Sequence, residues 1–359
     1  MNMLKLKSLL MQPIIQTLVI IVFLLLGYSL SQDEIYLIIL ALYVISFVSL
    51  SVHELGHVLA GKFVGMKLHF MSVWFILMLP SQKGFKLKFN KFLPLSFGMA
   101  SMYIDELNPS EKRIRNSLSI FYLGGTIANI LVLTLSTTLK MVFLNNSLFL
   151  ELTNYFIIIN IIIILATAIP IANYTDVSKV LNLYFSKNKD ELFLTYKIQH
   201  MYHSKKPENI CVKILEQYLH QVKSPESIYN LGMLLASCHC KNNNYEKCMP
   251  IIKEAIAKIE KLDDKNLIII LNFYQILFKL TSRQDLNKED INLLSQISII
   301  YGSTFYSLSQ GVLCYIQSDY SKSNQWLSVA MANRDELLDR HQENIIKNII
   351  DSIKVEMRT

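Results

Sequence analysis

The sequence predicts an all-α membrane protein: about four transmembrane helices and a small β-hairpin at the membrane surface, joined to a soluble domain of α-helical hairpin repeats. Three observations predict it. Of the 359 residues, 52% are hydrophobic, more than a soluble protein of this length carries, and the excess is confined to the N-terminal half. Several stretches there approach the roughly 20 apolar residues that a helix needs to cross a bilayer. After about Asn182 the composition turns to Lys, Glu, Asp and Asn at helical spacing, which marks a domain boundary.

The expected spans are Met11–Leu30, Ile35–Val58, Leu118–Leu144 and Tyr155–Ile171. The first follows basic residues, as a signal peptide would, but it is long and "YSLS" is a poor cleavage site, so it reads as an uncleaved anchor. The domains are then residues 1–34, an N-terminal transmembrane anchor; 35–183, the membrane core; and 184–359, a cytoplasmic helical domain. The net charge of +7 follows position along the chain. Lys5 and Lys7 precede the first span, and Lys62, Lys67, Lys83, Lys86, Lys88, Lys91, Lys112, Arg113 and Arg115 lie between the second and third. The other two connections, "SQDE" and "NNSLFLE", carry acid and no base. Basic residues stay on the inner side, so the N-terminus, the Lys62–Arg115 segment and the C-terminal half are expected in the cytoplasm, with Lys140 the one dissenting charge. This distribution implies membrane lipid as a partner and no nucleic acid. Cys211, Cys238, Cys240, Cys248 and Cys314 all fall in the half assigned to the reducing cytoplasm, where no disulfide is expected.

The second span ends in "LSVHELGHVLAGKFVG", Leu50 to Gly65. His53 and His57 are four residues apart, about 40° from one another on a helix and one turn apart, so both imidazoles can grip one zinc ion. Glu54 lies on the same turn, placed to act as general base on a water and to pass its proton to a leaving amine. This HExxH arrangement also arises by chance in soluble helices. Within a membrane span, ionisable groups are expensive unless paired, hydrated or bound to metal, and that cost favours a functional reading. Gly56 fits as well, because it lets another backbone approach beside the metal.

Two histidines and a water leave a ligand position open. The best candidate is Asp176 in "AIPIANYTDVSKV", just beyond Pro170 at the inner end of the fourth span, where it reaches a depth similar to His57. The competing reading of Asp176 is a solvated N-cap for a helix starting at Val177, and His69 is a fallback ligand. In "YLGGTIANILV", Gly124, Gly125 and Ala128 form a small-residue surface for close helix contact. Asn129 places an amide in the membrane, expected to face the active-site cavity and hold substrate backbone or an oxyanion.

These signals, in this order, resemble the site-2 protease family of intramembrane zinc metalloproteases over roughly Ile35–Tyr184. "HELGH" matches its first motif, "GTIAN" its G-P/x-x-x-N element with Thr126 in place of Pro, and "IPIANYTD" its last, with Thr175 and Val177 in place of Leu and Gly. The resemblance implies that His53, His57 and Asp176 bind Zn2+, that Glu54 is the base and that Asn129 assists.

"QKGFKLKFNKF", Gln82–Phe92, alternates Phe85, Leu87 and Phe89 with Lys86, Lys88 and Asn90, a strand with one apolar and one basic face. After the apolar run "FMSVWFILMLP" it predicts a hairpin on the inner membrane surface with its lysines toward anionic headgroups, and "SFGMASMYI" can add a strand. In the resembling family such strands sit at the entrance, where an unwound substrate can pair with them; a purely structural ribbon has the same pattern.

Tyr229–Ile256 resembles a tetratricopeptide repeat, and a second copy places Tyr320, Ser323 and Ala330 each 75 residues after Tyr245, Cys248 and Ala255. A stack of such helix pairs offers a concave surface to a peptide or protein partner, or serves only as a stabilising appendage. "CHC" with Cys248 lacks the second paired motif of a zinc site and reads as helix core. The function expected is an intramembrane zinc metalloprotease acting on a single-span membrane protein or a short hydrophobic precursor peptide. The alternative is a non-catalytic membrane scaffold with a structural or vestigial metal site, which would normally carry four protein ligands. Residue usage rich in Ile, Lys and Asn points to an AT-rich bacterial source, where proteins of the resembling family mature or clear secreted peptides.

Overall fold

The computed structural model describes residues 13–357, apart from 82–83, 91–97, 107–108, 143–146, 172–174, 188, 204–211, 241–243, 298–300 and 338–339. Of the residues singled out in the sequence, Lys5, Lys7, Lys83, Lys91 and Cys211 lie outside the described residues. Among the described residues, four helices are long and apolar enough to cross a membrane: α1 (Pro13–Ser31), α2 (Ile35–Phe63), α3 (Glu111–Val142) and α4 (Ser147–Ala168). The last two begin earlier than their apolar cores. In α3 a basic amphipathic stretch precedes the span, burying Ile114, Ser117 and Leu118 while Lys112 stays exposed. Lys140, near the far end of α3, donates to Asn154 Oδ1 on α4 at 2.7 Å.

Between α2 and α3 lies a four-stranded antiparallel sheet of order β3-β2-β1-β4. Its strands are β1 (Lys67–Val73), β2 (Ile76–Ser81), β3 (Gly84–Phe89) and β4 (Met99–Tyr103). The expected hairpin is β2 with β3, antiparallel from Ile76 opposite Phe89 to Ser81 opposite Gly84, and the apolar run also supplies the end of β1, with Val73 paired to Ile76 across a turn at Trp74 and Phe75. That turn packs against the middle of α2: Trp74 lies 4.1 Å from the Tyr43 ring and Phe75 stacks on Phe47 at 5.4 Å. Phe47 is 16 residues from the Phe63 end of α2, about 24 Å along a helix, so the turn reaches well along that helix. Backbone packed against an apolar helix needs internal partners. Buried Asn90 supplies them, donating from Nδ2 to Trp74 O and from its backbone N to Phe75 O, both at 2.7 Å. The β3 alternation is as read, with Phe85, Leu87 and Phe89 exposed on one side, and Lys62 Nζ lies 4.0 Å over the Phe85 ring.

After α4 the chain turns into α5 (Asp176–Phe185), which packs back onto α3. Elements α1 to α5 and the sheet belong to one of two compact units, Met1–Ile104 with Pro109–Leu192; the other is Asp105–Asn108 with Phe193–Thr359.

Helix α6 (Lys189–His203) runs from the end of the first unit into the second, which is helical and contains α7 (Val212–Gln221), α8 (Pro225–Cys240), α9 (Tyr245–Glu260), α10 (Lys265–Thr281), α11 (Lys288–Gln296), α12 (Ser303–Ile316), α13 (Tyr320–Asn333) and α14 (Arg340–Glu356). Its core includes the fully buried Leu231, Leu235, Phe273, Leu277, Leu308 and Ile349. The segments offset by 75 residues occupy corresponding places in two helical hairpins, α8–α9 and α12–α13. In one, Cys248 Sγ contacts Ala236 O at 3.5 Å; in the other, Ser323 Oγ donates to Gly311 O at 2.8 Å. Cys248 and Ser323 are both fully buried where paired helices cross, which explains the small residue at each position.

Candidate metal centre

Helix α2 stays apolar until its last four turns, where His53, Glu54 and His57 are 4%, 6% and 4% exposed. It stops at Gly65, whose φ of +78° allows a left-handed cap: Gly65 N donates to Lys62 O and Met66 N to Gly61 O, both at 2.9 Å. The histidine face is covered by α3 at backbone contact. A Cβ built on Gly56 would stand 2.5 Å from Gly124 O, and one on Gly124 would stand 2.6 Å from Gly56 O and 2.4 Å from Ala60 Cβ. Small residues therefore bring α2 and α3 together, as the "GGTIA" pattern led us to expect.

Asp176 arrives from the other end of the fold as the first residue of α5. The cap of that helix is Thr175, not Asp176: Thr175 Oγ1 accepts from Ser178 N at 3.3 Å, and Ser178 Oγ accepts from Thr175 N at 3.2 Å. Relieved of capping, the Asp176 carboxylate turns inward. Its Oδ2 lies 3.1 Å from His53 Nε2 and 3.3 Å from His57 Nε2, and the two Nε2 atoms are 3.1 Å apart. His69, the fallback, sits on β1 beside Ser101 Oγ at 3.4 Å. Among the described residues, His53, His57 and Asp176 are the one group of three such side chains that could hold a metal ion.

The donor set fits zinc. Ligand atoms about 2.0–2.1 Å from a tetrahedral zinc stand about 3.3 Å from each other, close to the three separations observed. The hydrogen positions fit as well. His57 Nδ1 lies 2.7 Å from Phe121 O, and a carbonyl can only accept, so Nδ1 carries the hydrogen and Nε2 offers its lone pair. His53 Nδ1 lies 2.9 Å from Asn129 Oδ1 in the same relation. Two imidazole lone pairs and a carboxylate oxygen at these distances repel one another unless a cation lies among them. Gly125 keeps the space open, since a Cβ there would stand 2.5 Å from His57 Nε2 and 2.7 Å from His53 Nε2.

Sequence reasoning put Asn129 at the substrate. In the structure it is fully buried and its amide is used within the protein: Oδ1 faces His53, and Nδ2 donates to Asn160 Oδ1 at 2.7 Å. Asn160 itself went unnoticed. A lone Asn in "IIINIIII" carries the same signal that singled out Asn129. Glu54 Oε1 stands beside the entry to β4, 2.7 Å from where a Cβ on Gly98 would lie.

A family model described as Peptidase family M50 matches residues 39–324, most of the chain, and takes in the helices that carry this centre. The chain belongs to peptidase family M50. It is thus a member of the site-2 protease family, which the three motifs indicated. M50 membership and the four apolar helices make it a multi-pass membrane metalloprotease, with membrane lipid around it and a peptide or protein as substrate. The M50 match continues into the helical unit as far as α13. No curated protein and no solved structure matches the chain.

Proposed function

We propose that this chain is an intramembrane zinc endopeptidase acting on a single-span membrane protein or a short hydrophobic precursor peptide. In this reading His53, His57 and Asp176 are the zinc ligands, Glu54 is the general base, and both termini lie in the cytoplasm. The observation that carries it is the convergence of two imidazole nitrogens and a carboxylate oxygen, 3.1 to 3.3 Å apart, among apolar helices. Three protein ligands leave a coordination position for the reaction, whereas a structural site is closed by four.

Zinc, when bound, supplies Lewis-acid polarisation of the scissile carbonyl. The protein's own groups do the rest. Glu54 removes a proton from the attacking water as the new C–O bond forms, then delivers it to the amine as the C–N bond breaks. The small-residue contact between α2 and α3 holds Glu54 and both histidines in register and excludes lipid. A helical substrate must unwind first, because its carbonyls are engaged in the helix. Strand β4 is an edge strand whose entry lies against Glu54, so an extended segment pairing along it would present a carbonyl beside the base.

The test is Glu54→Gln in cells. Peptides released by the intact protein should be missing from the variant, while zinc content and membrane assembly stay unchanged. An identical peptide profile from both would refute the proposal.

A further inference from the structure

Asn160 lies on α4 in the middle of an otherwise apolar run, and it is fully buried. Its carboxamide joins three helices. Nδ2 donates to Phe156 O at 2.8 Å and to Ser49 Oγ at 3.0 Å, while Oδ1 accepts from Asn129 Nδ2 at 2.7 Å. Asn129 Nδ2 also approaches Ser49 O at 3.5 Å.

The direction of this chain follows from its anchor. Phe156 O is a main-chain carbonyl and can only accept, so the end of Asn160 facing it must be the NH2. The other end, Oδ1, can only accept, so the group of Asn129 that meets it must also be the NH2. That leaves Asn129 Oδ1 facing His53 Nδ1, 2.9 Å away, and an oxygen there requires the hydrogen on Nδ1. His53 Nε2 is then bare and directed at Asp176 and His57. Reversing either carboxamide would set two NH2 groups or two oxygens against each other at fully buried side chains, which costs the hydrogen bond and leaves both groups unsatisfied.

We infer that Asn160 is a positioning residue for His53: through Asn129 it fixes which imidazole nitrogen carries the hydrogen, and so makes Nε2 available as a ligand. The inference rests on the metal reading of the site for its consequence, but not for its geometry. Ser49, one turn before His53 on α2, and Phe156, one turn before Asn160 on α4, complete the clamp. Loss of Asn160 leaves only the long 3.5 Å approach to Ser49 O to hold the orientation of the Asn129 amide, and a reversed amide directs the hydrogen to Nε2, where it blocks coordination.

The experiment compares the full-length protein with Asn160→Leu, and with Asn160→Ala as a smaller variant that cannot fail by steric excess. One readout needs no metal: 15N spectra of histidine-labelled, metal-free protein, with His53 assigned by the signal lost in His53→Ala. The parent should show the hydrogen on His53 Nδ1, and both variants should lose that preference. The second readout is zinc affinity by chelator competition, expected to fall 10- to 100-fold, as is usual when an outer partner of a ligating histidine is removed. In an Asn129→Ala background, Asn160→Leu should cause no further loss. The inference is overturned if His53 keeps its Nδ1 hydrogen in both variants, or if the Asn160 loss adds in full to that of Asn129→Ala. A parent that shows the Nδ1 hydrogen yet binds no zinc would instead sink the metal reading and leave the tautomer assignment standing.

Discussion

Asp176 Oδ2 lies 3.1 Å from His53 Nε2 across 123 residues of chain. The contact holds the start of α5 against the last turns of α2 and sets a carboxylate oxygen facing two imidazole nitrogens. Asp176→Asn keeps the shape and removes the charge. Zinc affinity is expected to fall at least 10- to 100-fold, with cleavage lost in parallel, by chelator competition and product assay. Retained affinity would show that the carboxylate is not a ligand.

Gly125→Ala separates the site from the fold. The added Cβ would lie 2.5 to 2.7 Å from both histidine Nε2 atoms, so the imidazoles must turn aside. The variant should assemble in the membrane and resist heat nearly as the parent does, yet bind no zinc.

Gly124→Leu tests the helix contact itself. Its side chain would meet Ala60 Cβ and Gly56 O at 2.4 and 2.6 Å, both on α2 and neither able to move alone. Overpacking of this kind costs typically about 1–3 kcal/mol, and here it must also part α2 from α3. Thermal unfolding in detergent should shift down, and zinc and activity should be lost together.

In the helical unit His200 is 2% exposed, and burial pulls its pKa from 6.5 down to about 4. The unfolded chain therefore takes up a proton between those values and the folded one does not. Stability from this group is complete above about pH 6.5 and is lost as the pH falls toward 4, at up to about 1.4 kcal/mol per pH unit. Hydrogen exchange of α6 amides should show faster opening over that window, and His200→Gln should flatten the dependence.

The chemistry of the centre was legible because its cost in lipid is local: "HELGH" in an apolar run, "GGTIA" on the facing helix and an Asp past Pro170 each break the surrounding pattern. What escaped was whatever depends on a partner. That Thr175 rather than Asp176 caps α5 follows from Ser178, three residues on, which completes a capping box. That Asn129 Oδ1 faces His53 follows from Asn160, on another helix, which accepts from Asn129 Nδ2. The turn at Trp74 and Phe75 carries none of the Gly, Asn or Asp that announce a two-residue hairpin, and it forms because α2 and Asn90 supply its contacts. The starts of α3 and α4 lie outside their apolar cores, where span length says nothing.

The measurement that bears most directly on the account is metal content. Protein purified without added metal should carry one zinc per chain, and the double variant His53→Ala, His57→Ala should carry none while remaining folded. A parent with no stoichiometric metal, or a double variant that keeps it, would contradict the assignment of this centre.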